Sequence, residues 1–423
     1  MSALEDPTYR RYLAARTVAM AGNALTLVAL PILVYRLTGS ATLTALVTAV
    51  ETAPYLVVGL PAGALVDRWN RRRVLVGCST ASGLAMLTVP VSDQLGVLTF
   101  AHLLVVAATV STLFVFADAA TFGVVPQMVG RERVASATST LVTVGTTIGL
   151  AGPVVAGLLV TVTSPALVLG VDGLAYLAAA AVTARLRWEG SETVRGPSGR
   201  RLRAEVAEGL TYIWTTPVVR WLTVLGTGNS LAGGAVTGLL VVVGVEQLGL
   251  ADDSPALGWL FAAGATGTFA AGLSLPRLQR SVGVGVITTT GYAVGLAVVL
   301  TLSLTTSVLV ALPLLAVLNF AATSLIFNGI VTRQVVTPDH LQARVGTTAR
   351  LIAWGGSPLG AALGGVVAGV AGTEWALRVA AGGLLVSLVG ALLAGVPRFP
   401  RLAELQESAV GTVRPPAPRT PPR

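Results

Sequence analysis

The residue with the clearest potential for chemistry is Glu51, an acidic side chain inside an apolar segment long enough to cross a membrane. It precedes Asp67 by sixteen residues, which is about 24 Å along a helix that rises about 1.5 Å per residue. A charged carboxylate at such a depth costs at least about 2.5 kcal/mol unless it faces a cavity or carries a proton. Glu51 is therefore our candidate for proton coupling. Two structural interpretations stand beside it: a neighbour such as Asn23 hydrogen-bonds Glu51, or Glu51 orients a helix kink at Pro54.

Residue types that several kinds of catalysis require are missing or scarce. None of the 28 basic residues is Lys, so a phosphate-binding G-x-x-x-x-G-K-[ST] loop cannot form. The single cysteine, Cys78, has no intramolecular disulfide partner, and two histidines alone would leave a metal centre dependent on carboxylates. Neither H-E-x-x-H nor G-x-S-x-G occurs. We expect no catalytic residues, no metal and no cofactor, and an intramembrane enzyme acting on a lipid-linked group is the least favoured function.

The composition is that of a chain surrounded mostly by lipid. Hydrophobic residues make up 53% and charged residues 11%, and the mean hydropathy is +0.78, whereas a globular chain carries about 25% charged residues. Twelve apolar segments of spanning length follow one another. The predicted spans are 13–36, 41–65, 74–91, 96–118, 134–161, 164–186, 218–245, 255–275, 284–304, 307–332, 345–370 and 374–396.

The arginines indicate which side of the membrane each loop occupies. If residue 1 is cytoplasmic, 25 of the 28 arginines fall in or beside cytoplasmic segments. The positive-inside rule therefore predicts a multi-pass protein of the plasma (inner) membrane with both termini in the cytoplasm. Since the net charge of +9 is explained by sidedness, it gives no support to nucleic-acid binding.

Polarity also divides the chain into segments. We expect one six-helix bundle in residues 1–186 and a second in residues 218–396. Residues 187–217 form a polar cytoplasmic linker, within which apolar residues at helical spacing predict an amphipathic helix on the inner leaflet. The Pro-rich tail, 397–423, lacks apolar residues to bury and is expected to be disordered.

The two halves contain an internal repeat. GNAL at Gly22 recurs as GNSL at Gly228, and Asp118 recurs as Asn328, at offsets of 206 and 210 residues. The sequence therefore predicts an all-α membrane protein with twelve transmembrane helices in two pseudo-symmetric six-helix bundles. A cavity between such bundles suits alternating access.

The segment GALVDRWNRRR, which begins at Gly63, resembles the signature loop of the major facilitator superfamily, with Asn70 in place of the usual Gly. Stretches such as ETAPYLVVGLPAGALVDR and SPLGAALGG are similar to the efflux branch that includes macrolide and siderophore exporters. The resemblance covers about residues 10–395. It implies the major facilitator fold and transport out of the cell.

The resemblance also implies a gate at the signature loop. Asp67 would lie near the positive N-terminus of span eleven, and Arg71 or Arg72 would pair with Asp118 at the inner end of span four. Setting topology alone is the other interpretation of these arginines, which include Arg68. The gate would close the cytoplasmic side and would not bind cargo.

The resemblance further implies that spans one and seven line the cavity, where Asn23 and Asn229 lie. These two residues and Asn319 in span ten suit either contact with cargo or hydrogen bonds between helices. Asp172 in span six is a fourth cavity candidate, although a structural hydrogen bond is the favoured interpretation. Arg350 in span eleven needs a partner, and we expect a structural pair.

Span five contains Gly149, Gly152, Pro153 and Gly157, which resemble the antiporter motif of exporters. Close helix packing is nearly as good an explanation of these small residues. The motif therefore only adds weight to export.

Together, the residues and the resemblance predict a secondary active transporter, a proton-coupled exporter of an amphiphilic or hydrophobic small molecule such as a drug, antibiotic or siderophore. Its partners would be this small molecule, protons and the lipid bilayer, and the protein would be monomeric. Uptake of a polar solute by the same fold is the alternative.

Overall fold

The structure is a computed structural model that describes residues 3–66, 68–186, 199–338 and 341–411. Among these residues the secondary structure is helical, and twelve helices are long and apolar enough to cross a membrane. The predicted all-α fold with twelve spans is confirmed. Asp67 and His340 lie outside the described residues.

The first half of the chain forms six long helices. Between α4 and α5, Arg131–Arg133 form a short 3-10 turn. The six helices are α1 (Pro7–Thr38), α2 (Ala41–Val66), α3 (Arg71–Gln94), α4 (Phe100–Val129), α5 (Val134–Val162) and α6 (Pro165–Arg185).

A linker helix, α7 (Gly199–Thr215), leads into the second half. The eleventh span is interrupted at Gly355, so it comprises two helices, α12 and α13. The helices of the second half are α8 (Pro217–Val242, continued by a π-helical turn at Val243–Gln247), α9 (Ala256–Ser281), α10 (Val284–Leu302), α11 (Val308–Val336), α12 (Gln342–Trp354), α13 (Gly356–Ala371) and α14 (Thr373–Leu393).

Local sequence signals set several helix ends. Asp6 caps α1 by accepting hydrogen bonds from the backbone N–H groups of Thr8 and Tyr9 at 2.8 and 3.2 Å, and Pro7 takes the first helical position, where no N–H is needed. Gly39 ends α1 in the left-handed conformation, with φ of 59°, which glycine adopts without strain.

The two halves use equivalent contacts. Helix α1 packs against α5 and α6, and α8 packs in the same way against α13 and α14. At the repeat-related glycines, Gly22 lies against Asp172 of α6, and Gly228 lies against Gly383 and Ser387 of α14. The internal repeat in the sequence therefore corresponds to two bundles built on one plan.

The linker helix α7 packs on the second bundle. Ile213 is completely buried with Val345 and Ala349 of α12, and Tyr212 donates a hydrogen bond to the Val336 carbonyl at 2.7 Å. Glu208 forms an ion pair with Arg344. The predicted amphipathic helix therefore exists, but part of its apolar face covers protein rather than the inner leaflet.

The prediction of a disordered tail from residue 397 was wrong for its first part. Val396–Arg398 form a 3-10 turn, the Pro400 carbonyl accepts a 3.0 Å hydrogen bond from the Val284 N–H, and Leu402–Gly411 form helix α15. Helix α15 contacts α9 and α11, because LAELQ supplies apolar residues and helix formers that the Pro-rich end lacks. Residues 412–423 lie outside the described residues.

Candidate functional site

Two faces of the molecule are defined by the helix ends. Since twelve spans alternate in direction, the chain ends lie on one face, which we call the terminal face; α2 also ends there. We call the opposite side, where α1 ends and α2 begins, the far face.

The two bundles are joined at the far face. Arg36 of α1 contacts Asp252 in the loop before α9, with 3.3 Å between Nε and Oδ2, and it donates a 3.0 Å hydrogen bond to the Asp252 carbonyl. Thr42 of α2 donates to the Gly365 carbonyl of α13 at 2.8 Å. The sequence did not predict this contact between the bundles.

The glycines of span five also meet the other bundle at the far face. A Cβ atom at Gly157 would lie 2.7 Å from the Cα of Gly258 in α9. Gly152 lies against Ala24 of α1, whereas Gly149 has open space around it. The carbonyl of Pro153 also lies against Gly258. Small side chains therefore allow α5 and α9 to cross closely, which is the packing interpretation of this motif.

Toward the terminal face, no comparable set of contacts joins the bundles within the described part of the chain. The aromatic pair of Tyr55 and Trp354, with ring centroids 6.0 Å apart, is the inter-bundle ring contact there. Trp354 is 41% exposed, and Arg350 lies 5.7 Å from the centre of its ring. The expected structural pair of Arg350 is therefore a cation–π contact. A cleft that is closed at the far face thus lies between the bundles.

Glu51 lies on the face of α2 that turns into the first bundle. Tyr55, one helical turn later on the same face, donates a hydrogen bond to Asp118 of α4 at 3.2 Å. Glu51 is only partly buried, and it makes no hydrogen bond or ion pair with any residue that the structure describes. The interpretation that Asn23 satisfies Glu51 is therefore wrong for this conformation. Pro54 lies within α2, as the kink interpretation requires.

The predicted ion pair of Asp118 with Arg71 or Arg72 is absent among the described residues. Arg72 instead donates a hydrogen bond to the Ala184 carbonyl of α6. Helix α4 continues to Val129, so Asp118 lies eleven residues, or about 16 Å, from its end. The sequence prediction ended this span at residue 118, and the resulting depth keeps Asp118 away from the loop.

The signature loop can be described only in part, because Asp67 is outside the described residues. Gly63 is helical within α2, and Arg68 begins the turn that follows. Asn70, which replaces the usual Gly, has φ of −67° and accepts a 3.1 Å hydrogen bond from the N–H of Arg73. The substitution is therefore unstrained, and it supplies an N-cap for α3.

Asp172 does not line the cleft. It is completely buried between α1 and α6, where Thr26 donates a hydrogen bond to its Oδ2 at 2.5 Å. Its Oδ1 has no partner and lies against Gly22. The cavity assignment of Asp172 was wrong, and the hydrogen bond between helices is the role that the geometry supports.

The three asparagines have different environments. Asn23 is exposed and lines a pocket in the first bundle. Asn229 is 6% exposed, so it is buried, whereas its repeat partner Asn23 is exposed. Asn319 donates to the Leu315 carbonyl of its own helix at 3.0 Å and packs on Gly264 of α9. The geometry therefore retains only Asn23 as a cavity residue.

Asn328, the repeat partner of Asp118, forms a buried network that sequence reasoning did not predict. Its Oδ1 accepts a hydrogen bond from Gln279 at 3.0 Å, and its Nδ2 donates to the Val284 carbonyl and to Thr288 at 3.0 and 3.1 Å. Asn328 is completely buried. The same repeat position thus has a packing function in the second bundle.

A small cavity of about 40 Å³ lies beside Asn23, between α1, α3, α4 and α6. Small side chains such as Ala15, Ser79 and Ala117 leave this space. Arg16 also lines this cavity; in the sequence it was one of the 25 arginines in or beside cytoplasmic segments. The position of Arg16, nine residues or about two and a half turns into an apolar helix, was the signal that could have identified it.

Twelve membrane-spanning helices in two related bundles, which are joined at one face, define a membrane transporter of the major facilitator type. The solved structures agree with this fold. The nucleoside transporter NupG aligns with a TM-score of 0.75 at 12% identity, covering 92% of this chain and 99% of that one. A bacterial homologue of the human lysosomal transporter Spinster, in an inward-facing and occupied conformation, aligns with a TM-score of 0.73 at 14% identity, covering 92% and 96%.

The family follows from the sequence comparison. The model of the transmembrane secretion effector family matches residues 1–414, and the chain belongs to this family. The multidrug efflux pump Tap of Mycolicibacterium fortuitum is 29% identical over 408 residues, which cover 92% of this chain and 95% of that protein. The expected major facilitator membership and multi-pass membrane architecture are confirmed.

Proposed function

We propose that this protein is a proton-coupled exporter of amphiphilic or hydrophobic small molecules, including drugs, that works by alternating access. The observation that carries the proposal is Glu51, a partly accessible acidic side chain at mid-helix with no hydrogen bond or ion pair among the described residues. The similarity to a protein named a multidrug efflux pump supports drugs as cargo.

The distribution of arginines supports transport out of the cell. With both termini in the cytoplasm of a cell, the terminal face is cytoplasmic and the far face is external. The described contacts then close the outside, and cargo enters the cleft from the cytoplasm or the inner leaflet. We also propose that the protein acts as a monomer in the plasma membrane and has no enzymatic activity.

In the transport cycle, the far-face contacts must break while the terminal face closes. Arg36 and Asp252 separate, and Gly157 moves away from Gly258. Glu51 then takes up a proton from the outside and releases it to the cytoplasm when the cleft reopens there. Each elementary charge that moves inward contributes about 2.3 kcal/mol per 100 mV of membrane potential, and each pH unit contributes about 1.36 kcal/mol.

The test is drug transport in proteoliposomes across an imposed pH difference, with wild type and Glu51→Gln. Wild type should accelerate drug movement when the pH difference drives protons the opposite way, and Glu51→Gln should lose this acceleration. Glu374→Gln is the matched control, because Glu374 pairs with Arg378 one helical turn away in α14. Equal acceleration in wild type and Glu51→Gln would exclude Glu51 as the coupling residue.

A further inference from the structure

Two opposite charges lie on the two sides of the cleft without an ionic partner. Asp118 belongs to α4 of the first bundle, and Arg350 belongs to α12 of the second. Neither forms an ion pair with a residue that the structure describes. Asp118 is partly buried, and Arg350 is exposed. Charged side chains inside a membrane protein pair with one another or face a water-filled cavity, so each of these two charges is available for a partner.

Two aromatic rings connect these charges. The Tyr55 hydroxyl donates a 3.2 Å hydrogen bond to Asp118, and the Tyr55 ring lies against Trp354, with 6.0 Å between the ring centroids. The guanidinium of Arg350 lies 5.7 Å from the centre of the Trp354 ring. Both charges are close enough to act electrostatically on the Tyr55 hydroxyl. Asp118 and Arg350 therefore approach the same point of the cleft from opposite bundles.

The two residues also lie at a similar depth. Asp118 lies eleven residues before the end of α4 at the terminal face, which is about 16 Å. Arg350 lies eight residues after the start of α12 at the same face, which is about 12 Å. The long side chain of Arg350 covers this difference. Since the helix is interrupted at Gly355, α12 can tilt toward the first bundle while α13 keeps its far-face contacts.

Charged neighbours within each bundle do not replace this partner. Arg16 also acts on the Tyr55 hydroxyl, but it belongs to the same bundle as Asp118 and forms no ion pair with it. Arg333 of α11 is a charged neighbour of Arg350, and it has the same sign. A carboxylate that arrives from the first bundle would offset the repulsion between these two arginines.

The internal repeat indicates that packing does not require either charge. At the offset of 210 residues that relates Asp118 to Asn328, the equivalent of Arg350 is Thr140 of α5. Each of the two positions is therefore charged in one bundle and neutral in the other. The two charged members have opposite signs and lie in different bundles, which suits a contact between bundles.

From these two charges on opposite sides of the cleft, we infer that Asp118 and Arg350 form an ion pair when the terminal face closes. Closure moves the Arg350 guanidinium from the Trp354 ring to the Asp118 carboxylate. The pair then stabilises the conformation that is open at the far face, as Arg36 and Asp252 stabilise the one described here. The transporter exchanges one ion pair between the bundles for the other. The inference rests on the alternating access of the proposed function and not on its proton coupling.

Chemical cross-linking tests whether the two positions meet. Asp118→Cys/Arg350→Cys is made on a Cys78→Ala background, placed in nanodiscs and treated with the short cross-linker 1,2-ethanediyl bismethanethiosulfonate. Peptide mass spectrometry should show the two cysteines joined, because cross-linking accumulates even a rarely visited conformation. The matched control is Asp118→Cys/Ile352→Cys, which should not be joined, since Ile352 lies on the side of α12 that packs with Val345 and Ala349. No cross-link in the first variant, or equal rates in both, would overturn the inference.

Charge variants separate an ion pair from mere proximity. Spin labels at Glu132→Cys and Ser281→Cys, which are exposed at the terminal face of the two bundles, report the width of the cleft there. They are placed on the same cysteine-free background with Arg36→Gln, which weakens closure of the far face. Asp118→Asn and Arg350→Gln should each lower the short-distance population about tenfold, as expected for the loss of a charged hydrogen bond. The exchanged variant, Asp118→Arg/Arg350→Asp, should restore it.

Two further variants serve as controls. Arg333→Gln removes a neighbouring cation of the second bundle and should not lower the short-distance population. Asp118→Glu keeps the charge and should retain that population, so its comparison with Asp118→Asn decides even if the exchanged variant does not fold. Equal short-distance populations with and without Asp118→Asn would overturn the inference. Because these measurements need neither a pH difference nor transport, their failure would leave the coupling of export to Glu51 standing.

Discussion

Replacing Arg36 by Gln should shift the protein toward the conformation that is open at the far face. The Arg36 side chain is 25% exposed and that of Asp252 is 47% exposed. The Nε atom of Arg36 lies 3.3 Å from the Asp252 carboxylate without hydrogen-bond geometry. The second contact of Arg36 is the 3.0 Å hydrogen bond that it donates to the Asp252 carbonyl. Both contacts join the two bundles, so they exist only while the far face is closed.

The expected size of the shift follows from these exposures. Because the Asp252 side chain is about half exposed, water screens the ion pair, which should stabilise the closed far face by about 0.2–1 kcal/mol. The hydrogen bond should add about 1 kcal/mol. Their loss should change the ratio of the two conformations about five- to thirtyfold, which corresponds to about 1–2 kcal/mol.

The assay is pulsed electron–electron spin resonance on a Cys78→Ala background. Spin labels at Leu95→Cys and Leu304→Cys, which are 70% and 71% exposed at the far face of the two bundles, report the width of the cleft there. The long-distance population should grow in Arg36→Gln.

The matched control is Arg378→Gln. Arg378 also lies at the far face, but its ion pair with Glu374, at 3.1 Å, is within α14 and joins no two bundles. This control should leave the distances unchanged. An unchanged distribution in Arg36→Gln, or the same shift in both variants, would refute the assignment of Arg36 to far-face closure.

Two further outcomes follow from packing. Gly157→Ala should slow transport and favour the state open at the far face, because the added methyl would lie 2.7 Å from the Cα of Gly258; Gly149→Ala, made in open space, should transport as wild type, and equal flux in both variants would contradict the close crossing. Asn328→Ala should lower the unfolding free energy by about 2 kcal/mol, since it removes three buried hydrogen bonds. Asn319→Ala, which loses a bond within its own helix, should lower the melting temperature less, and an equal loss would contradict the network.

The fold could be predicted because hydrophobicity and repetition are properties of the chain itself. Long apolar segments located the twelve spans, and the recurrence of Gly22 at Gly228 predicted the related bundles. The membrane fixes this architecture, because backbone hydrogen bonds must be satisfied within each helix.

The polar side chains were harder to place. Asp118 was assigned to a helix end because the apolar segment was predicted to stop at this charged residue, but α4 continues to Val129. The greater depth of Asp118 removed its expected partner. Asp172 and Asn229 are buried between helices. Which side of a helix faces its neighbours depends on the rotation of the helix about its axis, and hydropathy does not predict that rotation. Arg16 was assigned to topology because a cation near the start of a span serves that purpose equally well.

The tail and linker differ from expectation for a related reason. Composition predicts whether a segment can be buried, but it does not identify the surface that will cover it. Helix α7 packs against α12, and α15 packs against α9 and α11. Both contacts depend on surfaces that exist only after the second bundle has folded.

The most direct test of proton coupling is the release of protons when cargo binds. Purified protein in weakly buffered detergent solution would be mixed with a transported drug while a pH indicator dye is followed, for wild type, Glu51→Gln and Glu374→Gln. The account predicts proton release from wild type and Glu374→Gln and none from Glu51→Gln, although all three bind the drug. Proton release that persists in Glu51→Gln would contradict the central claim.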